Sequence, residues 1–139
     1  MEQLDLIDLI SERHLQLRQV SEKIWNDQNN IDLSNSEWII ISKIYHKKQM
    51  TVPCIAKHVD ISRQAAHKFI NRLEEKGVVS VKRLENNRNA KLLELTELGK
   101  QCYEKNETLK AHLENRIAEE IGEERLKQFK QVLKEDWGL

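Results

Sequence analysis

Apolar residues recur along this chain at two periods, and the periods mark out its elements. Leu6, Ile10, Leu17, Val20 and Ile24 are spaced by 4, 7, 3 and 4 residues, with Trp25 beside them. That seam predicts one long helix. The polar, Asn-rich run from Asn26 to Asp32 closes it. Ser34-Asn35-Ser36-Glu37 has the form of a capping box, in which the Ser34 hydroxyl accepts from an amide three residues on and Glu37 reaches back. The helix it opens carries Trp38, Ile41, Ile44 and Tyr45. It ends in His46-Lys47-Lys48, cations suited to a helix C-terminus. Thr51 is placed to cap a short helix with Pro53 in its first turn, where a missing N–H costs little. Ile55, Ala56 and Val59 form the inner face.

Asp60 and Ile61 then make a tight turn, and Ser62 caps the next helix. Ala66, Phe69, Ile70 and Leu73 give that helix one apolar face. Arg63, Gln64, His67, Lys68, Asn71 and Arg72 take the other. Gly77 is a natural terminator just past the end. From Val78 to Leu84 the period switches to two, as in a strand, with Val79 and Val81 alternating against Ser80 and Lys82. A polar turn, Glu85 to Asn89, leads to a second short strand from Lys91 to Thr96 carrying Leu92, Leu93 and Leu95. The pair reads as a β-hairpin. Thr96 caps a long helix with Leu98, Tyr103, Leu109, Leu113 and Ile117. Gly122 interrupts it, and a last helix carries Leu126, Phe129, Val132, Leu133 and Trp137.

Composition narrows the class. With 4 Gly and 1 Pro in 139 residues, turn-formers are too few for a sandwich or barrel. The length suits one domain with extensions. We expect a mainly helical fold with one hairpin: residues 1–32 as an N-terminal helix, 33–96 as a central lobe and 97–139 as C-terminal helices, in one structural domain. No apolar run approaches a membrane span, and acidic Glu2, Asp5 and Asp8 are unlike the basic start of a secretory signal. Cys54 and Cys102 make no disulfide framework. A cytoplasmic location is the expectation.

The formal net charge is zero, from 23 basic and 23 acidic residues. A neutral total argues against a polyanionic partner until the charges are located. Residues 1–50 carry net −2, residues 51–91 net +5 and residues 92–139 net −3. A cationic middle between acidic ends fits either a polyanion-binding surface or an ordinary solvated face.

Two helices joined by a tight turn and followed directly by a hairpin form a winged helix-turn-helix. In that motif the second helix enters the major groove of DNA. The groove admits one helix, which needs one apolar and one polar-cationic face. Ala65 and Ala66 keep the entering end slim. Ser62 and the free amides of the first turn can hold a phosphate. Arg63, Gln64, His67 and Lys68 are types that read base edges or bind phosphate.

At these residues the chain resembles the MarR family of transcriptional regulators. Ile61 to Val79, with Leu73-Glu74-Glu75-Lys76-Gly77-Val78-Val79 at its end, matches the family's helix-and-wing pattern. Leu92-Leu93-Glu94-Leu95-Thr96-Glu97-Leu98-Gly99 matches the ending of its wing. Leu33 to Tyr45 looks like its second helix. The resemblance implies a homodimer whose terminal helices interlock and whose recognition helices straddle a pseudo-palindromic site in double-stranded DNA. It implies base reading by Arg63, Gln64, His67 and Lys68, backbone contacts from Ser62, Asn71 and Arg72, and a wing tip of Asn87, Arg88 and Asn89. It also implies repression, with possible release by a small-molecule effector. One departure stands out. The family wing usually reads Asp-x-Arg, and the matching positions here are Asn87 and Asn89, with Arg88 between them.

Other chemistry is sparse. Cys54 and His58 lie i, i+4 and could share a metal, but no second ligand pair has zinc spacing. Neither cysteine has a feature marking it as redox-active. Trp25, Trp38 and Tyr45 fit core or dimer packing, or the lining of an effector pocket. No catalytic constellation or phosphate-binding glycine loop occurs, so we expect neither an enzyme nor a cofactor. The rival class is an adaptor that uses the winged helix for protein contacts, consistent with the asparagine-rich wing.

Overall fold

The computed structural model describes residues 3–83 and 91–139. In chain order its elements are α1 (Leu6–Gln28), α2 (Asn35–Lys47), β1 (Met50–Thr51), α3 (Val52–Val59), α4 (Arg63–Glu75), β2 (Val79–Arg83), β3 (Lys91–Leu95), α5 (Glu97–Ile121) and α6 (Glu123–Lys134). The mainly helical fold with a hairpin wing is therefore the fold observed.

The caps explain why the helices begin where they do. Ser34 and Glu37 form the full capping box of α2. Thr51 accepts from the Cys54 amide at 3.3 Å, Ser62 from Ala65 at 3.0 Å and Thr96 from Gly99 at 3.0 Å. Each satisfies an amide that has no partner within its helix. Asp60 ends α3 in the left-handed region, at φ 56°, a conformation that Asp tolerates better than most residues. The Ile61 amide closes that turn on the Ala56 carbonyl at 3.0 Å.

Two features differ from the sequence reading. The sheet has three strands in the order β1-β3-β2. Met50 pairs with Leu93 and Thr51 with Leu92, while β2 pairs with β3 from Val79↔Leu95 to Arg83↔Lys91, all antiparallel. A two-residue strand is too short for periodicity to reveal. The last helix stops at Lys134, so Trp137 lies beyond it. The Trp137 indole donates to the Val132 carbonyl at 2.7 Å and covers the helix end.

The buried core runs from Trp25 to Tyr103. Ile40, Ile41 and Ile44 of α2 meet Ile55 and Ala56 of α3, Ala66, Ile70 and Leu73 of α4, and Val78, Val79, Leu93 and Leu95 of the sheet. Each large aliphatic side chain buried here contributes about 1.5–3 kcal/mol. Gly99 lets α5 approach this core. A Cβ there would lie 2.1 Å from the Val78 carbonyl oxygen. That oxygen also accepts from the Thr96 amide, and the Thr96 hydroxyl donates to the Gly77 carbonyl at 2.6 Å. The end of α4, the root of the wing and the start of α5 are thereby locked together.

Outside the lobe the helices keep apolar surface in water. Leu6, Ile7, Leu9, Ile10, Leu15 and Leu17 of α1 are exposed, as are Ile121, Phe129, Val132, Leu133 and Trp137 near the C-terminus. The seam expected on α1 is half-buried only at its C-terminal end, at Val20 and Ile24. Among the described residues no helix is long and apolar enough to cross a membrane.

Candidate nucleic-acid interface

α4 is amphipathic, and its two faces are cleanly divided. Ala66, Ile70 and Leu73 are buried, and Phe69 is half-buried against them. Ser62, Arg63, Gln64, His67, Lys68, Asn71 and Arg72 are all exposed. At a rise of 1.5 Å per residue the helix is about 20 Å long, so the polar face spans most of two groove widths. Among the described residues Arg63, Lys68 and Arg72 enter no salt bridge.

The N-terminal end of α4 is built to meet an anion. Ser62 Oγ accepts from the Ala65 amide, which leaves the hydroxyl proton free to donate outward. By helix geometry the amides of Arg63 and Gln64 have no acceptor within the helix. The helix dipole adds partial positive charge at the same end. Ala65 is half-buried and adds no bulk there.

Around α4 the charge differs from the sequence tally. Lys57 and His58 of α3 are exposed, as is Arg83 at the far end of β2, opposite Lys91. Lys82 pairs with Glu94 at 3.3 Å. Gln49, which donates to it, and Lys82 together hold the Glu94 carboxyl below the usual range. Lys76 is drawn inward to Glu37 at 2.8 Å, so it does not contribute to the outer cationic face. Arg83 belongs to no recognition motif in the sequence, and it adds an exposed cation at the end of β2. Asn87, Arg88 and Asn89 lie outside the described residues.

The three aromatic candidates separate. Trp25 is buried, its indole donates to the Ile31 carbonyl at 2.7 Å, and Trp38 meets it edge-on at 4.8 Å. Tyr45 stands elsewhere, stacked on Tyr103 at 3.9 Å. It lines an open groove of about 830 Å³ between the end of α2, β3 and α5, together with Lys47, Lys48, Gln49, Lys100 and Glu104. Partial burial, reinforced by the Glu104 carboxylate, pushes the Tyr45 hydroxyl above its ordinary range. Trp25 and Trp38 do not line that groove.

Cys54 Sγ lies 3.6 Å from His58 Nδ1, but the same ring nitrogen is 2.8 Å from the Cys54 carbonyl. That second contact makes Nδ1 a donor, so the pair reads as a helix-surface contact. Among the described residues no group of three or more His, Cys, Asp and Glu could hold a metal ion.

The MarR family model matches residues 33–91, the stretch that carries α2 to the start of β3. No curated protein matches the chain in sequence. Among solved structures, the reduced form of MarR from E. coli is 18% identical, covers 94% of this chain and 95% of its own, and superposes with a TM-score of 0.84. FabT from Streptococcus pneumoniae, solved in complex with DNA, is 19% identical over 92% of this chain and 90% of its own, with a TM-score of 0.77. A point mutant of S. aureus MepR, bound to an oligodeoxyribonucleotide, is 19% identical over 94% of both chains, with a TM-score of 0.68. At these identities the likeness is one of fold. It extends over nearly the whole chain, whereas the family pattern is carried by the central lobe.

Proposed function

We propose that this chain, with a MarR-type lobe inside a MarR-type fold, is a double-stranded DNA-binding transcriptional regulator that acts as a homodimer in the cytoplasm. The observation that carries the reading is the outer face of α4. Six polar side chains on that face are exposed while the opposite face is sealed into the core. Arg63, Gln64, His67 and Lys68 read base edges in the major groove, and Ser62, Asn71 and Arg72 hold phosphates. Asn87, Arg88 and Asn89 form the wing tip, where Arg88 supplies the one cation. The named DNA complexes of FabT and MepR, which share the fold, support the same placement.

The exposed apolar residues of α1 and α6 form the dimer surface. The N-terminal helix (1–32) and the C-terminal helices (97–139) are then the dimerising parts, around a DNA-binding lobe at 33–96. Two recognition helices fall about 34 Å apart, one turn of the duplex. The sign of regulation is repression, and a small-molecule effector in the groove beside Tyr45 shifts the population away from that spacing. Trp25 and Trp38 take no part in that groove. No cofactor and no catalytic step enter this reading.

Selection of bound duplexes from a random pool by the purified protein tests it. The expected outcome is a palindromic consensus with half-sites about one helical turn apart. A pool that shows no enrichment sinks the reading and favours a protein-contact adaptor.

A further inference from the structure

One side chain ties the end of α4 to the far side of the lobe. Lys76 Nζ lies 2.9 and 2.8 Å from the two carboxylate oxygens of Glu37 and donates to the Asp32 carbonyl at 2.7 Å. All three ammonium protons therefore have acceptors. Glu37 is 3% exposed, and its Oε1 also accepts from the Ser34 amide at 3.2 Å. Two residues before Glu37, Asn35 Nδ2 donates to the Glu22 carboxylate at 2.7 Å and to the Arg18 carbonyl at 3.2 Å, both on α1. The Leu33 amide donates to Asn26 Oδ1 at 3.1 Å. A chain of polar contacts thus runs from α1, through the first turn of α2, to the C-cap of α4.

Stability alone is a poor reason for such a pair. Burying the Glu37 carboxylate is costly, Lys76 keeps 29% of its side chain in water, and apolar residues in place of such a pair are often as stable or more so. What the pair supplies instead is a single geometry, because its bonds are directional and leave no proton free. α4 rests on α2, α3 and β2 through an apolar face, which resists separation better than it resists rotation or sliding. Its outer face meets only water. The polar chain fixes the remaining freedom from the α1 side, although α1 itself packs on α5.

We propose that Glu37 and Lys76 are positioning residues, whose half-buried ion pair sets the pitch of α4 against the α1–α2 scaffold and so the half-site spacing that the dimer accepts. The spacing clause rests on the DNA-binding reading above; the pitch clause does not.

The informative variant is the double change E37M/K76M, since either single change leaves a buried polar partner unsatisfied. Melting temperature reports the fold. Spin labels at Gln19→Cys on α1 and Gln64→Cys on α4, in a C54A/C102A background diluted into unlabelled chain, report the intrachain α1–α4 distance without DNA. The expected result is a folded protein whose melting temperature falls only by the modest cost of the lost bonds to the Ser34 amide and the Asp32 carbonyl, with a broadened distance distribution. On DNA, we expect about a tenfold loss of preference for the selected spacing over sites altered by one base pair. A double variant with the wild-type distribution overturns the pitch clause. One with the wild-type spacing preference overturns the spacing clause. Should the double variant fail to fold, Lys76→Arg keeps the charge but changes its reach. That protein is expected to fold with a shifted α1–α4 distance, and an unshifted distance overturns the proposal. If the wild-type protein binds no duplex, the functional reading fails while the distance arm still decides the pitch.

Discussion

The middle of the chain and its two ends are written in the same helical period, yet they meet water differently. In the lobe every apolar seam closes on another: α2, α3, α4 and the sheet share one core. On α1 and α6 the seams stay open, with Leu6 61% exposed and Phe129 51% exposed. The lobe buries its apolar surface within the chain, and the terminal helices leave theirs in water. The contrast shows that a hydrophobic stripe specifies a helix, but not whether its partner lies in the same molecule. The charge follows the same division, with net +5 over residues 51–91 and acidic ends.

The largest effect that separates the two regions is expected inside the lobe. Gly99→Ala places a methyl 2.1 Å from the Val78 carbonyl oxygen. Backbone must move to admit it, and the loss should be about 3 kcal/mol. Urea denaturation checks this, and a near-neutral result would show that the α4–wing–α5 junction can open to admit a methyl group.

Next comes the open stripe. In a lone chain Leu133→Asp, at a residue 48% exposed, should change stability by no more than about 0.5 kcal/mol. Across a dimer surface it buries a charge and should raise the dimer dissociation constant by roughly 100-fold, about 2.7 kcal/mol. Sedimentation equilibrium separates the outcomes, since an unchanged association would place the partner surface elsewhere.

Smaller still is the turn between α3 and α4. Asp60 has φ 56°, so glycine relieves strain while adding freedom to the unfolded chain. The net gain from Asp60→Gly should be at most about 0.5 kcal/mol. A clear loss of melting temperature would point to a role for the Asp60 side chain.

The two cysteines sharpen the comparison by reactivity. Burial pushes the Cys102 thiol above its ordinary range, against a weaker opposing pull from Lys105. The folded state therefore favours the neutral thiol. Its contribution to stability is full below the ordinary thiol range and is lost as pH rises through the raised value. Alkylation at neutral pH should modify half-buried Cys54 first and leave Cys102 until the protein unfolds. Equal rates, read by mass spectrometry, would contradict the burial of α5 against the lobe.

Much of this was legible in the sequence because its causes are local. Ser34, Thr51, Ser62 and Thr96 announce their helices through a hydroxyl and an amide three residues away. Gly77 announces an end through its tolerance of positive φ. The family-like run from Leu92 to Gly99 acquires a physical reason in the structure, since Thr96 caps α5 and Gly99 admits the Val78 carbonyl. What escaped reading was non-local or too short. β1 has two residues and no period. Glu37 and Lys76 are 39 positions apart, and each had a sufficient local explanation, one as a capping residue and the other as a surface cation. Trp38 and Tyr45 looked like one aromatic set. Seven residues of helix hold them about 10 Å apart along the axis, so one packs on Trp25 and the other lines the groove.

On the proposed reading, the outer face of α4 binds the backbone and bases of DNA. The most direct test of that claim is the salt dependence of binding to the selected duplex, for wild type and for Lys68→Ala with Arg72→Ala. The expected result is a steep fall of log affinity with log salt for wild type, and a slope reduced by about 2 in the double variant. An unchanged slope would contradict the claim, because those two charges would then not face phosphate.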